Sequence, residues 1–157
     1  MMIKVTKRDG RLEELNVDKI HTVLEWACEG LDSVSVSAIE MASHIQFYDG
    51  IQTRDIHETM IKATADLISE ESPDYQYVAG RLINYQLRKE VYGDYTPPEL
   101  VDHLRKVVDL GFYDPALLKR YSEKDWKILG DYIDHERDTK LTYAAMEQMR
   151  GKYLVKN

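Results

Sequence analysis

Cysteine is almost absent from this chain of 157 residues, and its single cysteine, Cys28, excludes an internal disulfide and a CxxC metal site. The chain also lacks any run approaching the ~20 consecutive apolar residues of a membrane span. Charged residues at Lys4, Lys7 and Arg8 interrupt the N-terminus before an apolar segment forms, which argues against a signal peptide. These absences favour a protein of the reducing cytoplasm with no membrane partner.

Positive charge is in deficit. The chain has 21 Lys and Arg residues against 28 Asp and Glu residues, so its formal net charge is −7. A general nucleic-acid binder usually carries a basic surplus, so we expect no nucleic-acid partner. Any anion site must therefore be a local cluster of basic residues.

The usual signatures of catalysis and of metal binding are missing as well. There is no G-x-S-x-G motif, and Cys28, in the sequence Trp26-Ala27-Cys28, is interpreted as part of a buried helix face. The acidic run of residues 125–138 is typical of a solvated surface rather than of an acid–base pair. No two histidines have the i, i+4 spacing of a helical metal site; they are His21, His44, His57, His103 and His135. We therefore expect no catalytic residue and no metal held by protein side chains.

A tight turn near the N-terminus is the most informative feature that the chain does contain. Arg8-Asp9-Gly10 separates two short extended runs, Ile3–Thr6 and Arg11–Leu15. Asp-Gly between β-prone runs predicts a hairpin, because glycine adopts a positive φ without steric cost.

The chain then enters a helix at Asn16, and this order predicts a basic corner. Lys7, Arg8 and Lys19 are expected to approach one helix N-terminus, where outward-pointing backbone N–H groups also suit a phosphate. The phosphate motifs G-x-x-x-x-G-K-[ST] and G-x-G-x-x-G are absent, so scattered surface lysines remain the alternative interpretation.

Helical periodicity predicts four helices after the hairpin. They are Val17 to Glu29, a second from a capping box to about Tyr48, a third from an N-cap at Thr53, and a fourth that starts at Ser72-Pro73-Asp74 and ends near Tyr92. In the capping box, Ser37 is the expected N-cap and Glu40 the third helical residue. Short connections favour a compact antiparallel bundle. The hairpin is too small to be stable alone, so we expect it to cover one end of the bundle as a lid.

Residues 93–98, Gly-Asp-Tyr-Thr-Pro-Pro, are predicted to separate a first domain, 1–93, from a second segment, 94–157. Three or four shorter helices are expected beyond them, at about Pro98 to Leu110, Pro115 to Tyr121, Glu123 to Ile133 and Tyr143 to Lys152. Ser122-Glu123-Lys124-Asp125 is typical of a capped helix start. The polar end, Lys156-Asn157, is interpreted as a cut rather than a designed terminus.

Several consecutive stretches carry a family resemblance: VTKRDGRLEELNVDKI, GIQTRDIHETMIKATADLI, SPDYQYVAGRL and LRKEVYG. Together they closely resemble the N-terminus of the large (alpha) subunit of class I ribonucleotide reductase of bacterial and phage type. Residues 1–93 look like its ATP-cone domain. DHLRKVVDLGFYD, IDHERD and YAAMEQMRGKYLVKN are similar to the helical connector that leads into the catalytic barrel. The resemblance implies a mainly α fold, in which a β-hairpin lid on a four-helix bundle is followed by an all-α connector.

The resemblance also implies an allosteric site for ATP or dATP with Mg²⁺, whose residues are carried over by position. Lys7 and Arg8 would lie on the lid near the phosphates, and Glu13 and Asn16 would read adenine. The remaining expected contacts are Glu14, Leu15, Val17 and Asp18 around the base and sugar, Lys19 on the phosphates, Ile20 beneath the base, Thr53 and His57 near the sugar and phosphates, and Lys89 on a phosphate. For His57, a surface or packing role is an equally open interpretation.

In that family ATP permits activity and dATP suppresses it, through docking of the cone against the small, radical-bearing (beta) subunit or other large subunits. The catalytic chemistry belongs to a barrel that these 157 residues do not include, so we expect no reductase activity from this chain alone. The alternative hypothesis is a helical interaction module, or a decoy for reductase subunits, that no longer binds nucleotide.

Overall fold

The structure is a computed structural model and describes residues 2–155; the interpretation of Lys156-Asn157 as a cut lies outside the described residues. It is mostly helical with one small sheet, which confirms the predicted mainly α class. The described chain groups into two compact units. The first comprises residues 2–86 together with 138–155, and the second comprises residues 87–137.

The predicted hairpin is confirmed. Strands β1 (Lys4–Thr6) and β2 (Leu12–Glu14) pair antiparallel, with Val5 opposite Glu13. Gly10 adopts a φ of +83°, and its N–H donates to the Lys7 carbonyl at 2.9 Å, which closes the turn.

A third strand, β3 (Ile51–Gln52), was not predicted, and it pairs parallel with β1 so that the sheet order is β2-β1-β3. Its attachment begins just before the strand, where the Lys4 N–H donates to Asp49 Oδ1 at 2.8 Å and the Gly50 N–H donates to the Lys4 carbonyl at 2.8 Å. Two residues are too few to show an alternating pattern, which is why sequence reasoning missed this strand.

Four helices build the core under this sheet: α1 (Val17–Cys28), α2 (Val36–His44), α3 (Thr53–Asp66) and α4 (Tyr75–Tyr92). Helix α2 packs against both α1 and α3. The apolar side chains that are almost fully buried come from all four helices and from β3, and include Leu24, Ile39, Ile51, Met60, Ile61, Val78, Leu82 and Ile83. The lid-on-bundle arrangement follows from this shared core, since so short a hairpin needs a surface to cover.

The predicted capping box of α2 is wrong by two residues. Ser35, not Ser37, is the N-cap, and its hydroxyl oxygen accepts from the Ala38 N–H at 3.2 Å. Glu40, predicted at the third helical position, instead places Oε1 2.7 Å from His21 Nδ1 on α1. The helix also ends at His44 rather than near Tyr48.

The starts of α3 and α4 also differ from the prediction. Gln52 occupies the N-cap position of α3, and Thr53 is its first helical residue. Helix α4 begins at Tyr75 rather than at Ser72-Pro73-Asp74, because the Pro73 carbonyl accepts from the Gln76 N–H in a separate turn.

The second unit contains the end of α4, followed by α5 (Leu100–Asp109), α6 (Ala116–Arg120) and α7 (Glu123–Tyr132). The predicted capped start of α7 is confirmed, and Ser122 and Asp125 form a reciprocal capping box there. After a 3₁₀ helix (His135–Lys140), helix α8 (Tyr143–Gln148) continues into one π-helical segment (Met149–Tyr153). The prediction of one helix reaching Lys152 therefore missed a change of helical pitch.

Candidate functional site

One edge of the sheet brings the hairpin to the start of α3. Because β1 and β3 are parallel, their carboxyl ends meet at the same edge. The Thr6 hydroxyl donates to the Gly50 carbonyl at 2.9 Å, and the Thr53 hydroxyl donates to the Thr6 carbonyl at 3.4 Å. Lys7, the next residue after Thr6, therefore leaves the sheet beside the first turn of α3.

The core-facing side of the hairpin carries charged residues next to its buried residue. Val5 is only 4% exposed, and Glu13 lies directly opposite it, so the two side chains share one face of the sheet. Lys7 is two residues from Val5 and places Nζ 3.2 Å from Glu13 Oε2. The lid thus presents one cation and one carboxylate toward the side on which it covers the helices.

The turn itself is held by a local ion pair. Asp9 accepts from the Arg11 backbone N–H at 3.1 Å and from Arg11 Nε at 2.7 Å, and these bonds lower the pKa of Asp9 and raise that of Arg11. Arg8 lies in this turn and is exposed. The turn is thereby kept compact, with Arg8 at the solvent.

The other end of the hairpin delivers the chain to α1. The Leu15 N–H donates to the Ile3 carbonyl at 2.9 Å, and Asn16 caps the helix by accepting from the Lys19 N–H on Oδ1 at 2.9 Å. Ile20 is buried. The other predicted site residues of this segment, Glu14, Val17, Asp18 and Lys19, are exposed.

His57 lies on α3, one turn after Thr53, and contacts the core. Its ring stacks on Tyr85 with centroids 5.5 Å apart, and Tyr85 in turn lies 6.1 Å from the ring of Trp26. His57 is half-buried, so packing accounts for one of its faces. His57 is also on the same helix as Thr53, so its packing against Tyr85 is compatible with the predicted role near the sugar.

The described contacts bring together only part of the predicted site. Lys7 contacts Glu13, and Thr53 joins the adjoining residue Thr6. Residues 16–19 lie beyond the far end of β2, about 10 Å along the strand from the turn, at ~3.3 Å per residue. Lys89 lies in the second unit, where its Nζ is 3.8 Å from Asp94 Oδ1.

Sequence reasoning missed Thr6, which joins β3 to the lid through its hydroxyl and accepts from Thr53 on its carbonyl. A threonine in a predicted strand carries no functional signal of its own. Thr6 lies beside Gly50 and Thr53 only because β3 pairs with β1, and β3 itself was not predicted. No sequence pattern could therefore identify Thr6 as a site residue.

Other chemistry is sparse in the described chain. Among residues 2–155, no group of three or more His, Cys, Asp and Glu residues is arranged to hold a metal ion, and no helix is both long and apolar enough to cross a membrane. Burial raises the pKa of the Cys28 thiol to about 11, so the thiol is protonated and unreactive at neutral pH.

The first unit is therefore a small domain in which a short β-hairpin forms a lid over a bundle of helices, with charged residues on the inner face of the lid. The ATP cone domain family matches residues 3–90, and the chain belongs to this family. The expected resemblance is thus confirmed for the part of the chain that holds the sheet and nearly all of α1 to α4.

Relatives extend the similarity over almost the whole chain. It is 58% identical over 153 residues to the ribonucleoside-diphosphate reductase 1 subunit alpha of Escherichia coli (strain K12), covering 98% of this chain and 20% of that protein. It is 57% identical to the ribonucleoside-diphosphate reductase subunit alpha of Haemophilus influenzae (99% and 20%) and 44% identical to that of Enterobacteria phage T4 (99% and 21%). The chain spans about a fifth of the length of these relatives and matches their N-terminal region, as the sequence motifs predicted.

Proposed function

We propose that this chain is the allosteric activity-regulating part of a ribonucleoside-diphosphate reductase, and that it binds ATP as activator or dATP as inhibitor, with Mg²⁺. The observation that carries the proposal is the ATP cone match over residues 3–90, which contain both the lid and α3. The site acts in the cytoplasm and holds a signal molecule rather than a reacting substrate.

The phosphates are assigned to the edge where the lid meets α3. Lys7 and Arg8 supply positive charge, and the first turn of α3 adds backbone N–H groups near Thr53. Within residues 2–155, the Gln52 side chain makes no capping hydrogen bond there, so these donors are not engaged by the N-cap side chain. Lys19 and Lys89 are proposed to reach the phosphates as further cations.

The base and sugar are assigned to Glu13 and the start of α1. Asn16 uses Oδ1 to cap the helix, so its amide N–H groups are proposed to donate to adenine, while Glu13 accepts from the exocyclic amine. Ile20 forms the apolar floor, His57 lies near the sugar, and the rest of the pocket is assigned to Glu14, Leu15, Val17 and Asp18. ATP and dATP differ by one 2′-hydroxyl, so regulation requires contacts that sense the sugar.

Regulation also requires a docking surface, and α2 offers one. Three large apolar side chains are exposed at the end of α2: Met41 on the helix, Ile45 at its C-cap and Tyr48 in the loop that follows, at 73%, 85% and 58%. The relatives are named as alpha subunits, so a further subunit is implied. We propose that this stripe docks on the small, radical-bearing subunit or on other large subunits, and that the two nucleotides favour different docked states.

In this proposal residues 1–93 form the nucleotide-binding domain and residues 94–157 form a connector to the catalytic part. Reduction of nucleotides is assigned to that catalytic part, not to this chain.

The second candidate function is an interaction module or decoy that docks through the same stripe but binds no nucleotide. It is favoured by one observation, the Lys7–Glu13 ion pair, which neutralises a lid cation within the protein. Thermal-shift scans with ATP, dATP and GTP, followed by titration calorimetry, separate the two. Stabilisation by adenine nucleotides with micromolar or tighter affinity, and not by GTP, supports the first function; no stabilisation and no heat with either adenine nucleotide leaves only the second.

A further inference from the structure

Residues 138–155, here called the clasp, lie outside the matched family region, but they belong to the same compact unit as residues 2–86. The backbone of the clasp at Leu141 and Thr142 lies directly against Gly80 of α4. A Cβ added at Gly80 would lie 2.3 Å from the Leu141 carbonyl oxygen and 3.0 Å from the Thr142 carbonyl carbon. Only glycine permits this backbone contact, because neither atom belongs to a side chain that can move aside.

A single arginine ties the clasp to α1. Arg81, on α4, donates from Nε to the Thr139 carbonyl at 3.2 Å and from Nη1 to the carbonyls of Ala27 and Glu29 at 3.0 and 2.8 Å. The last two acceptors lie at the C-terminal end of α1, where the helix dipole favours a cation. The guanidinium therefore fixes the clasp and α1 to the same helix.

A second arginine ties the clasp to α3. Arg150 binds Glu58 in a two-pronged ion pair, with Nη1 2.8 Å from Oε1 and Nη2 3.2 Å from Oε2. Nη1 also lies 3.3 Å from Oε1 of the buried Gln86, and Nη2 contacts Glu147. Burial alone would raise the pKa of Glu58, but the hydrogen bonds from Arg150 and Gln86 outweigh it and lower that pKa, so the carboxylate stays charged.

Glu58 lies on the same helix, α3, as Thr53 of the proposed phosphate site. Thr53 is the first residue of α3 and Glu58 is five residues further on, about 7.5 Å along the axis at 1.5 Å per residue. A ligand at Thr53 and the Arg150 side chain at Glu58 therefore contact consecutive turns of the same helix.

We propose that the clasp is a working part of the regulatory domain: through the Arg150–Glu58 pair, its hold on α3 is coupled to nucleotide occupancy of the edge at Thr53. Each event orders α3, so the second to occur loses less conformational entropy and the coupling is positive. By linkage, nucleotide tightens the clasp by the same factor by which the clasp tightens nucleotide binding. This inference rests on the proposed nucleotide site and adds the segment through which occupancy is transmitted.

The test uses the whole chain and two measurements. Hydrogen exchange of residues 138–155 is followed with and without dATP, and the dATP dissociation constant is measured by calorimetry for the wild type, Arg150→Ala and Arg150→Lys. We expect dATP to slow exchange across the clasp at least threefold in the wild type. Arg150→Ala is expected to weaken dATP binding by about fivefold or more, the lower end of typical allosteric coupling, and to remove the protection of the clasp. Arg150→Lys keeps the charge but loses the fork and is expected to fall between the two.

The matched control is Arg105→Ala, which removes an arginine that pairs with Asp102 at 3.3 Å and with Glu123 in the second unit. It should leave both measurements unchanged. Gly80→Ala, which displaces the clasp by steric overlap, is an independent variant that should reproduce the effect of Arg150→Ala.

The possible failures differ from one another. If dATP binds the wild type, but clasp exchange does not change and Arg150→Ala binds dATP as tightly as the wild type, the clasp is structural packing only and the inference is overturned. A lower melting temperature of Arg150→Ala with an unchanged dissociation constant leads to the same conclusion. Absence of dATP binding to the wild type overturns the proposed function itself, and the coupling with it.

Discussion

Lys7 Nζ lies 3.2 Å from Glu13 Oε2 on the side of the hairpin that buries Val5. The Glu13 carboxylate also lies 3.9 Å from Arg11 Nη1, so it is placed between two cations. A triphosphate that binds Lys7 must compete with this carboxylate, whereas an adenine amine offers the carboxylate a new donor. In the proposed site, nucleotide binding must therefore separate the pair, so that Lys7 binds the phosphates and Glu13 accepts from the adenine amine.

The first prediction concerns the lysine of this pair. Lys7→Ala is expected to weaken ATP and dATP binding by about 1–3 kcal/mol, the scale of a charge-assisted hydrogen bond. Calorimetry measures the change, and Lys19→Ala is expected to give a loss of the same order. Lys4→Ala is the matched control, because Lys4 is an exposed residue of β1, three positions before Lys7, and its side chain lies on the face of the strand opposite to that of Val5. Unchanged affinity in both Lys7→Ala and Lys19→Ala would place the nucleotide elsewhere.

The second prediction separates the two roles assigned to Asn16. Asn16→Ala removes the acceptor of the Lys19 N–H, so it should cost about 1 kcal/mol of folding stability and lower the melting temperature by roughly 2–4 °C. Asn16→Asp keeps a good N-cap oxygen but loses the amide donors, so its melting temperature should stay near that of the wild type while adenine nucleotide binding weakens about tenfold, the loss of one hydrogen bond to the base. An Asn16→Asp protein that binds as tightly as the wild type would remove Asn16 from the list of adenine contacts.

The hairpin, the four helices that follow it and the shorter helices beyond residue 98 were predictable because each has a strong local signal. Asp9-Gly10 marks the turn, and Ser122 with Asp125 marks the start of α7. The errors fall where a tertiary contact chose among several local options. Ser35 and Ser37 are both good N-caps, and Glu40 is engaged by His21 from another helix rather than by its own helix start.

The candidate site was predictable only in part. Positions carried over from the family resemblance name Lys7, Glu13 and Thr53, and the structure supplies the reason why the lid meets α3. That reason is the two-residue strand β3, whose pairing with β1 depends on Asp49 and Gly50 rather than on any periodic pattern. The clasp was even less predictable, because the contact of Gly80 with Leu141 joins residues far apart in sequence.

The third prediction concerns pH. His21, on α1, places Nδ1 2.7 Å from Glu40 of α2 and Nε2 3.2 Å from Glu25, and the hydrogen bond to Glu40 raises the pKa of His21 above its ordinary value of 6.5. A raised folded-state pKa means that the protonated histidine stabilises the fold, fully below about pH 6.5 and progressively less as pH rises through the raised pKa.

Unfolding midpoints of the wild type and His21→Gln, measured from pH 5.5 to 8.5, check this directly. The wild type should be the more stable protein at the acidic end, and the gap should close toward the alkaline end. The effect should be small, because His21 is exposed and solvent screens the pair. A gap that widens with rising pH would contradict the assignment of a bridging imidazolium.

The fourth prediction tests the proposed docking stripe, Met41, Ile45 and Tyr48, at the C-terminal end of α2. Ile45→Lys puts a charge at a side chain that is 85% exposed, so the folded protein should tolerate it with little change in melting temperature. Docking should suffer, because a lysine buried in an apolar interface loses its hydration without a partner. We expect at least a tenfold loss of dATP-dependent binding to the small reductase subunit, measured by analytical ultracentrifugation with the two proteins mixed.

Ile128→Lys provides the control for this experiment, since Ile128 is 58% exposed on α7 of the second unit, away from α2 in sequence and in a different compact unit. It adds the same charge to the same residue type and should leave docking unchanged. Nucleotide affinity should be unchanged in both variants, because neither residue belongs to the proposed pocket. If Ile45→Lys docks as well as the wild type does, the stripe is ordinary exposed surface and the regulatory contact must involve another face of the cone.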